Sequence, residues 1–391
     1  MRAYSITHYE KRVPIVRDRN DHVLRFDSDN AYPQRIREYI RNSGTAQACV
    51  NLLASFIEGE GFADEGYYKS IINYRGQTVD QILRLCAADF AMHSGFVLHV
   101  NYNGLFQPDS VHHVPWDYVR WGLPDDWGYI GYAAIFDDWD RKNQTKDGKD
   151  RNIDYIDIFN PNPDVIRAQI ERDGGIGNYK GQIFYYTGDT QQYPLAPFHS
   201  VLEDVQSDAE AKDFRLRNLQ NGFMATNIIQ TPEFQSDEER EQFQGSLRQF
   251  QGAKNASKIL HFETSGGVDE NTPDFMVKSI QLQNVDKHFE YSERAAKDSI
   301  IGAFNQPMQL HPIRISGKLG NSDEIKEAFY FYNEFTKKIR RVFSECFEKV
   351  FSGFARDINP SGDYSIIPLA YGSSQLENET IEEEEDGDVL D

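Results

Sequence analysis

The chain has few cysteines and no long apolar run. Its three cysteines, Cys49, Cys86 and Cys346, are odd in number, far apart and set in apolar segments of helical periodicity, so neither a disulfide framework nor a zinc site is predicted. We expect all three to be buried. No apolar stretch approaches the roughly eighteen residues of a membrane span, and residues 1–19 are charged throughout, unlike a signal peptide. A protein that stays in the cytoplasm where it is made is therefore expected.

Basic residues are scarce relative to acidic ones. Among 391 residues there are 41 Lys and Arg against 62 Asp and Glu, which gives a net charge of -21. Residues 375–391 contain nine acidic residues and no basic one, and they are predicted to form a disordered, solvated tail. The rest of the chain is acidic too. Such a composition argues against tight binding to nucleic-acid backbones, which depends on Lys and Arg. An acidic surface would instead repel a DNA strand and let it slide past without sticking.

Motifs of common enzymes are lacking as well. The segment around Lys318 lacks the upstream glycine and the following Ser or Thr of a P-loop, and residues 175–177 lack the third glycine of a dinucleotide-binding motif. Asp137, Asp138 and Asp140 could hold a divalent cation, as in a nuclease, but adjacent acids in a polar segment are more typical of a solvated turn. No enzyme activity, cofactor or metal is predicted. A metal-dependent nuclease or hydrolase that uses this Asp cluster stays open as an alternative.

The most regular pattern lies near the C-terminus. Apolar residues recur every three or four positions from Ile325 to Phe351, after a capping box that begins at Asn321 and includes Glu324. This pattern predicts one long amphipathic helix over residues 322–353. A second amphipathic pattern precedes it and predicts a helix that ends before Pro307. Between the two helices, Pro, Gly and basic residues predict an irregular loop.

The N-terminal half predicts a mixed domain. Helical patterns at residues 34–42, 45–57 and 78–93 are followed by short aromatic and β-branched segments that predict antiparallel strands. The predicted strands are residues 96–102, 111–119, 127–136, 155–159 and 182–186. Further along, helices are predicted at 207–227 and 236–250, and strands at 259–262 and 275–282 around a Ser-Gly-Gly turn. Helices followed by a run of antiparallel strands indicate an α+β fold.

Several motifs resemble those of the portal (head–tail connector) proteins of tailed bacteriophages of the long-tailed type. Asn30-Ala31-Tyr32-Pro33-Gln34 and the later Gly59-Glu60-Gly61-Phe62 look like their N-terminal signature. Asn221-Gly222 stands where the family tends to place an Asn-Gly pair. Ala303-Phe304-Asn305-Gln306-Pro307 stands where the family often has an aromatic residue followed by Val-Pro, and Gln306 replaces the Val. The order of these elements carries the resemblance.

The resemblance implies an α+β, portal-like subunit with an α+β wing domain, two stem helices, a small α/β clip insertion, a tunnel loop and a long C-terminal helix. The implied segments are an N-terminal arm (1–29), the wing (30–205), stem helix 1 (206–227), the clip (228–283), stem helix 2 (284–305), the tunnel loop (306–321), the long tunnel-adjacent helix (322–353), a return strand to the wing (354–374) and the acidic tail (375–391). A helical crown after the long helix is not expected.

The implied function is structural. The family would form a homo-oligomeric ring, expected to be a dodecamer, at one capsid vertex. That ring would be the channel for packaging and ejecting viral DNA. Implied partners are further copies of the chain, the major capsid protein, the terminase large subunit, a head–tail adaptor or neck protein, and double-stranded DNA passing non-specifically; no membrane is involved. The implied location is the virion, with the host cytoplasm during assembly.

The resemblance places the DNA-channel residues in the tunnel loop, and no catalytic, cofactor-binding or metal-binding residue is implied. The channel residues are Gln309, Leu310, His311, Pro312, Ile313, Arg314, Ile315, Ser316, Gly317, Lys318 and Leu319. A different phage head–tail structural protein is a further alternative to the portal hypothesis.

Overall fold

The computed structural model describes residues 14–18, 21–139, 153–188, 193–220, 226–232, 234, 236–243, 259–264, 276–280, 285–311, 322–356, 358 and 361–371. The predicted acidic tail, most of the predicted tunnel loop and the Asn221-Gly222 pair lie outside these residues. The chain divides into two compact units. The first unit comprises Met1–Leu202 and Ile300–Asp391, and the second comprises Glu203–Ser299.

The last of the described helices along the chain is the longest. They are α1 (Tyr32–Asn42), α2 (Gly44–Glu58), α3 (Glu65–Lys69), α4 (Val79–His93), α5 (Pro163–Arg172), α6 (Leu202–Gln220), α7 (Val285–Ala303) and α8 (Ser322–Phe351). The long helix predicted from the apolar pattern is confirmed as α8. In the first unit α2 packs against both α4 and α8.

The strands form three sheets within the described residues. They are β1 (Ile15–Asp18), β2 (Val23–Phe26), β3 (Phe96–Tyr102), β4 (Pro108–Val114), β5 (Val119–Trp121), β6 (Tyr132–Ile135), β7 (Asp154–Ile158), β8 (Gln182–Tyr186), β9 (Thr226–Pro232), β10 (Ile259–Thr264) and β11 (Met276–Ile280). The largest sheet has the order β4-β3-β8-β7-β6-β5. Helices and a mixed sheet confirm the predicted α+β class.

Local sequence explains where the helices of the first unit begin. The Ser43 hydroxyl accepts a hydrogen bond from the backbone N–H of Ala46 (3.1 Å) at the start of α2. At the start of α4, Thr78 and Gln81 form the predicted capping box. The apolar faces of both helices are fully buried, and Cys49 and Cys86 lie on them. All three cysteines are free and buried, as predicted.

The large sheet is not wholly antiparallel, which corrects the sequence-based expectation. β7 and β8 pair in parallel, because α5 connects them and returns the chain to the same edge. No helix was predicted between the strands at 155–159 and 182–186, because Asn160-Pro161-Asn162-Pro163 is typical of a turn. Asn162 is in fact the helix cap, its side chain accepting from the N–H of Asp164 (3.0 Å), and Pro163 occupies the first turn.

Two other predicted strands are shorter or broken. The strand predicted over 111–119 is interrupted by a 3₁₀ turn at Trp116–Tyr118, which separates β4 from β5. Its backbone turns there because Asp89 accepts a hydrogen bond from the N–H of Trp116 (3.0 Å). The strand predicted over 127–136 is confined to β6, since residues 125–129 form a tight turn before it.

Within the segment predicted as an N-terminal arm, the strands β1 and β2 pair in an antiparallel manner. Val23, Leu24 and Phe26 are buried although charged residues surround them in the sequence. Phe26 stacks on Tyr193, with ring centroids 4.5 Å apart. The average charge of the segment therefore obscured three core residues.

In the second unit, α6 begins earlier than predicted and ends before a strand. Ser207, the first residue of the predicted helix, lies inside α6, because Glu203 and Asp204 already favour a first turn at Leu202. The strand β9 then starts at Thr226, where helix was predicted. β9 lies between β10 and β11 and pairs with both, so the two strands predicted around the Ser-Gly-Gly turn do not pair with each other.

The helical stretch predicted from residue 236 is present over residues 237–243, with the N–H of Glu239 bonded to the Ser236 hydroxyl (3.2 Å). Nowhere in the described part of the chain is a helix both long and apolar enough to cross a membrane.

Candidate functional site: the base of the loop between the last two helices

The structure describes the first residues of the predicted tunnel loop. Gln309 is exposed, Leu310 is half-buried and His311 is buried. Pro312, Ile313, Arg314, Ile315, Ser316, Gly317, Lys318 and Leu319 lie outside the described residues. The described structure therefore defines how the base of the loop is held.

The last turn of α7 ends in a Schellman motif that sets the direction of the loop. Asn305 adopts a left-handed backbone conformation with φ 51°. Its N–H donates to the carbonyl of Gly302 (3.0 Å), and the N–H of Gln306 donates to the carbonyl of Ile301 (3.3 Å). Pro307 follows and prevents the helix from continuing. The Asn-Gln-Pro part of the portal-like motif thus ends α7.

Gln306 fastens this turn to two other helices. It is 6% exposed, and its Nε2 donates to the carbonyl of Cys49 on α2 (2.8 Å) and to the hydroxyl of Tyr332 on α8 (3.0 Å). The Tyr332 hydroxyl in turn donates to the carbonyl of Phe304 (3.4 Å). The residue that replaces the expected Val therefore makes specific polar contacts in an apolar region.

Aromatic packing supports the same base. Phe304 is buried and stacks on Phe198, with centroids 5.4 Å apart. Tyr332 packs edge-on against Phe56 of α2 at 4.9 Å. Burial raises the pKa of the Tyr332 hydroxyl, which keeps it a neutral donor. Buried aromatic side chains thus surround the base of the loop.

Two buried polar atoms at this base have no hydrogen-bond partner among the described residues: Oε1 of Gln306 and Nε2 of His311. Burial lowers the pKa of the His311 imidazole, which favours its neutral form. The backbone of this segment is ordered by a 3₁₀ turn in which His311 donates to the carbonyl of Met308 (3.1 Å). The His311 side chain is therefore buried at the base of the loop.

A buried arginine, not identified from the sequence, holds α8 against α2. Arg340 is 5% exposed and donates to the carbonyl of Phe56 (2.7 Å), the hydroxyl of Thr336 (2.7 Å) and the carbonyl of Asn333 (2.8 Å). The Phe56 carbonyl lies near the C-terminal end of α2, where the helix dipole favours a cation. Burial lowers the pKa of Arg340.

The Asn30-to-Gln34 motif surrounds a second buried arginine, Arg120, which is fully buried. Its guanidinium donates to the side chain of Asn30 (2.6 Å), the carbonyl of Asn30 (2.7 Å) and the side chain of Gln34 (3.2 Å). Asn30 has φ 60° and also accepts from the N–H of Phe26 (3.0 Å). Burial lowers the pKa of Arg120 to about 10. This motif therefore stabilises the fold of the first unit.

The Gly59-to-Phe62 motif holds the C-terminal segment. The N–H of Glu60 donates to the carbonyl of Ile367 (3.0 Å), and the N–H of Ile367 donates to the carbonyl of Gly61 (2.9 Å). Gly59 has φ 59°, and a Cβ there would overlap the carbonyl of Ile367. The return strand predicted over 354–374 is present in the described residues only as an isolated bridge between Phe62 and Ile366.

Two of the three acidic residues of the alternative metal site are described. Asp137 and Asp138 precede Trp139, whose indole N–H donates to the carbonyl of Tyr118 (2.8 Å) and whose ring lies 5.4 Å from the Arg120 guanidinium. Asp140 lies outside the described residues. Among the residues that are described, no group of three or more His, Cys, Asp or Glu side chains could hold a metal ion.

Comparison with known proteins shows a likeness in fold without a likeness in sequence. No family model matches the chain, and no curated protein matches it. A chain from the neck of an empty GTA particle, computed with C6 symmetry, matches with a TM-score of 0.51 and 14% identity, over 92% of this chain and 91% of that one.

Two other solved structures match less well. A chain from the virion of a native gene transfer agent particle has a TM-score of 0.48, 16% identity and coverage of 90% and 87%. An HK97-family phage portal protein from Corynebacterium diphtheriae has a TM-score of 0.39, 10% identity and coverage of 74% and 81%. The predicted α+β class is confirmed, and the chain shares its fold with the particle-neck chain.

Proposed function

We propose that this chain is the subunit of a closed ring at one vertex of a phage-type particle, and that DNA passes through the ring. The observation that carries the proposal is the common fold, across more than nine-tenths of both chains, with a chain of a particle neck computed with C6 symmetry. Identical subunits around a rotation axis form a closed ring. A ring of about twelve subunits is compatible with sixfold symmetry.

The loop of residues 306–321 would narrow the channel. Its base is fixed by Gln306 and Phe304, so force on the loop would pass into α2 and α8 rather than bend the connection. Ile313 and Leu319 would meet the DNA, and Arg314 or Lys318 would make transient phosphate contacts. Because the chain carries a net charge of -21, these contacts would stay weak and the strand could slide.

The ring would act as a passive channel and a docking site. A separate motor, the terminase large subunit, would drive packaging, and a head–tail adaptor or neck protein would replace it afterwards. The second unit, residues 203–299, would present the clip-like sheet of β9, β10 and β11 to these partners. The first unit would face the major capsid protein. Assembly would take place in the host cytoplasm, and the finished location would be the virion.

The experiment that tests the ring is the native mass of the purified chain, with negative-stain images of the same peak. We expect a closed ring with a central channel and about twelve subunits. A chain that remains monomeric at every concentration, with and without the capsid protein, would refute the proposal.

The loop assignment has its own test. Ile313→Gln or Ile315→Gln should alter DNA packaging or genome retention while rings still form. Leu105→Gln, a change at an exposed hairpin tip of the first unit, is the control and should leave both unchanged. Loss of the ring in the two loop variants would contradict the assignment of these residues to the channel.

A further inference from the structure

One face of α8 exposes a cluster of aromatic side chains. Tyr330 is 68% exposed, Phe331 is 61% exposed and Phe335 is 42% exposed. Phe331 and Phe335 are four residues apart, a spacing that places both side chains on one helix face. Contiguous aromatic exposure of this kind is typical of a surface that another protein covers.

The same face continues into positive charge. Lys338 follows Phe335 by three residues and therefore lies next to it on the helix. Its neighbours Lys337 and Arg341 pair with Glu334 (3.2 Å) and Glu345 (3.0 Å). Lys338 forms no ion pair with any described residue, so its charge is available to a partner.

A second exposed aromatic pair lies in the turn of residues 125–129, between β5 and β6. Trp127 is 84% exposed and Tyr129 is 74% exposed. The Asp125 carboxylate accepts from the N–H groups of Trp127 (2.9 Å) and Tyr129 (2.8 Å), and this locks the turn. Asp126, beside them, is exposed and acidic. A rigid turn that presents Trp and Tyr loses little conformational entropy when it binds.

We propose that the 125–129 turn of one copy packs against the aromatic face of α8 on the next copy, with Asp126 facing Lys338. This contact rests on the proposed ring. A ring with one subunit type needs two different surfaces per copy, each complementary to the other. These two surfaces are both aromatic, and Asp126 beside the one is opposite in charge to Lys338 beside the other. Lys338 can in addition lie over the ring of Trp127 or Tyr129.

Charge reversal in the full-length chain tests the pairing. The variants are Asp126→Lys, Lys338→Glu and the two combined, and the readout is the protein concentration at which half of the chains are in rings, measured by sedimentation velocity. Each single variant should raise that concentration at least about tenfold, because like charges would face each other. The combined variant should return to within about threefold of the wild type. Single variants without effect, or a combination no better than the worse single variant, would overturn the contact.

Truncation of the aromatic anchor gives an independent readout. Trp127→Ala should raise the half-assembly concentration more than about tenfold, because large aromatic anchors dominate interface energies. Asp125 is left intact so that the turn keeps its hydrogen bonds. Leu105→Ala, which is 75% exposed at the tip between β3 and β4, is the matched control and should assemble like the wild type. Equal behaviour of the two variants would overturn the proposal.

The outcomes separate this contact from the ring itself. A wild-type chain that never forms a ring refutes the proposed function. Wild-type rings that persist in every variant refute only the contact between the turn and α8.

Discussion

Gln306 offers the sharpest test of how the loop base is held. The change Gln306→Glu keeps the shape of the side chain but replaces the amide donor by a carboxyl group. The carbonyl of Cys49 and the hydroxyl of Tyr332, at 2.8 and 3.0 Å, would then face a group that donates only when protonated. Because the site is 6% exposed, the carboxylate would bind a proton rather than stay charged.

The cost follows from the protonation equilibrium. Keeping a carboxyl with an ordinary pKa of about 4.3 protonated at pH 7 costs at most about 3.7 kcal/mol, at about 1.4 kcal/mol per pH unit. One hydrogen bond is lost as well, at about 1 kcal/mol. We therefore expect about 5 kcal/mol of destabilisation at pH 7, which lowers the melting temperature by roughly 6 °C, since the entropy of unfolding is about 2.1 cal/mol/K per residue.

The pH dependence identifies the cause. In the variant the folded pKa is raised above the unfolded one, so the penalty is complete above the folded pKa and shrinks as the pH falls toward about 4.3. At pH 5 the total penalty should be about 2 kcal/mol. The assay is calorimetric melting of the full chain at both pH values. Gln309→Glu, at an exposed position three residues on, is the control and should show no such dependence. If Gln306→Glu melts like the control at pH 7, the loop base is not held as described.

Three further predictions concern residues that stabilise the first unit. Arg120→Met should destabilise the fold by about 3 kcal/mol or more in chemical unfolding, since several buried carbonyl and amide oxygens lose their donor, whereas Arg75→Met on the surface should be nearly neutral. Gly59→Ala should expose the C-terminal segment to limited proteolysis, whereas Gly76→Ala should not; both glycines have positive φ, but a Cβ at Gly76 meets open space. Burial lowers the pKa of His93 to about 4. Because charging the buried imidazole opposes folding, about 3 kcal/mol of the free energy of unfolding is present above pH 6.5 and is lost as the pH falls to about 4. His93→Phe should flatten the acid-unfolding profile over that range, and an unchanged profile would contradict this effect of His93.

Elements whose signals are local could be predicted from the sequence. α8 carries its apolar spacing through thirty residues, and the capping box of Thr78 and Gln81 marks the start of α4. The elements that were not predicted begin with residues that are typical of more than one structure. Asn162 and Pro163 are typical of a turn, and they also begin α5. Only the parallel pairing of β7 with β8 requires that a helix, α5, connects them.

The contacts that hold the base of the predicted loop could not be predicted from the sequence. The hydrogen bond from Gln306 to Cys49 spans 257 positions in the sequence, and that from Arg340 to Phe56 spans 284. No periodic pattern encodes such a distance. The portal-like motifs nevertheless contain the residues that make these contacts or similar ones, since Asn30, Gln34 and Gly59 all occupy positions where packing or backbone conformation limits the choice of residue.

The position of the loop in the ring can be tested directly by a reconstruction of the assembled ring at a resolution that traces the chain through residues 309–319. We expect a closed ring in which this loop from every copy reaches the axis and forms the narrowest part of the channel, with its base held by Gln306. A ring in which the loop points away from the axis, or an assembly without a central channel, would contradict it.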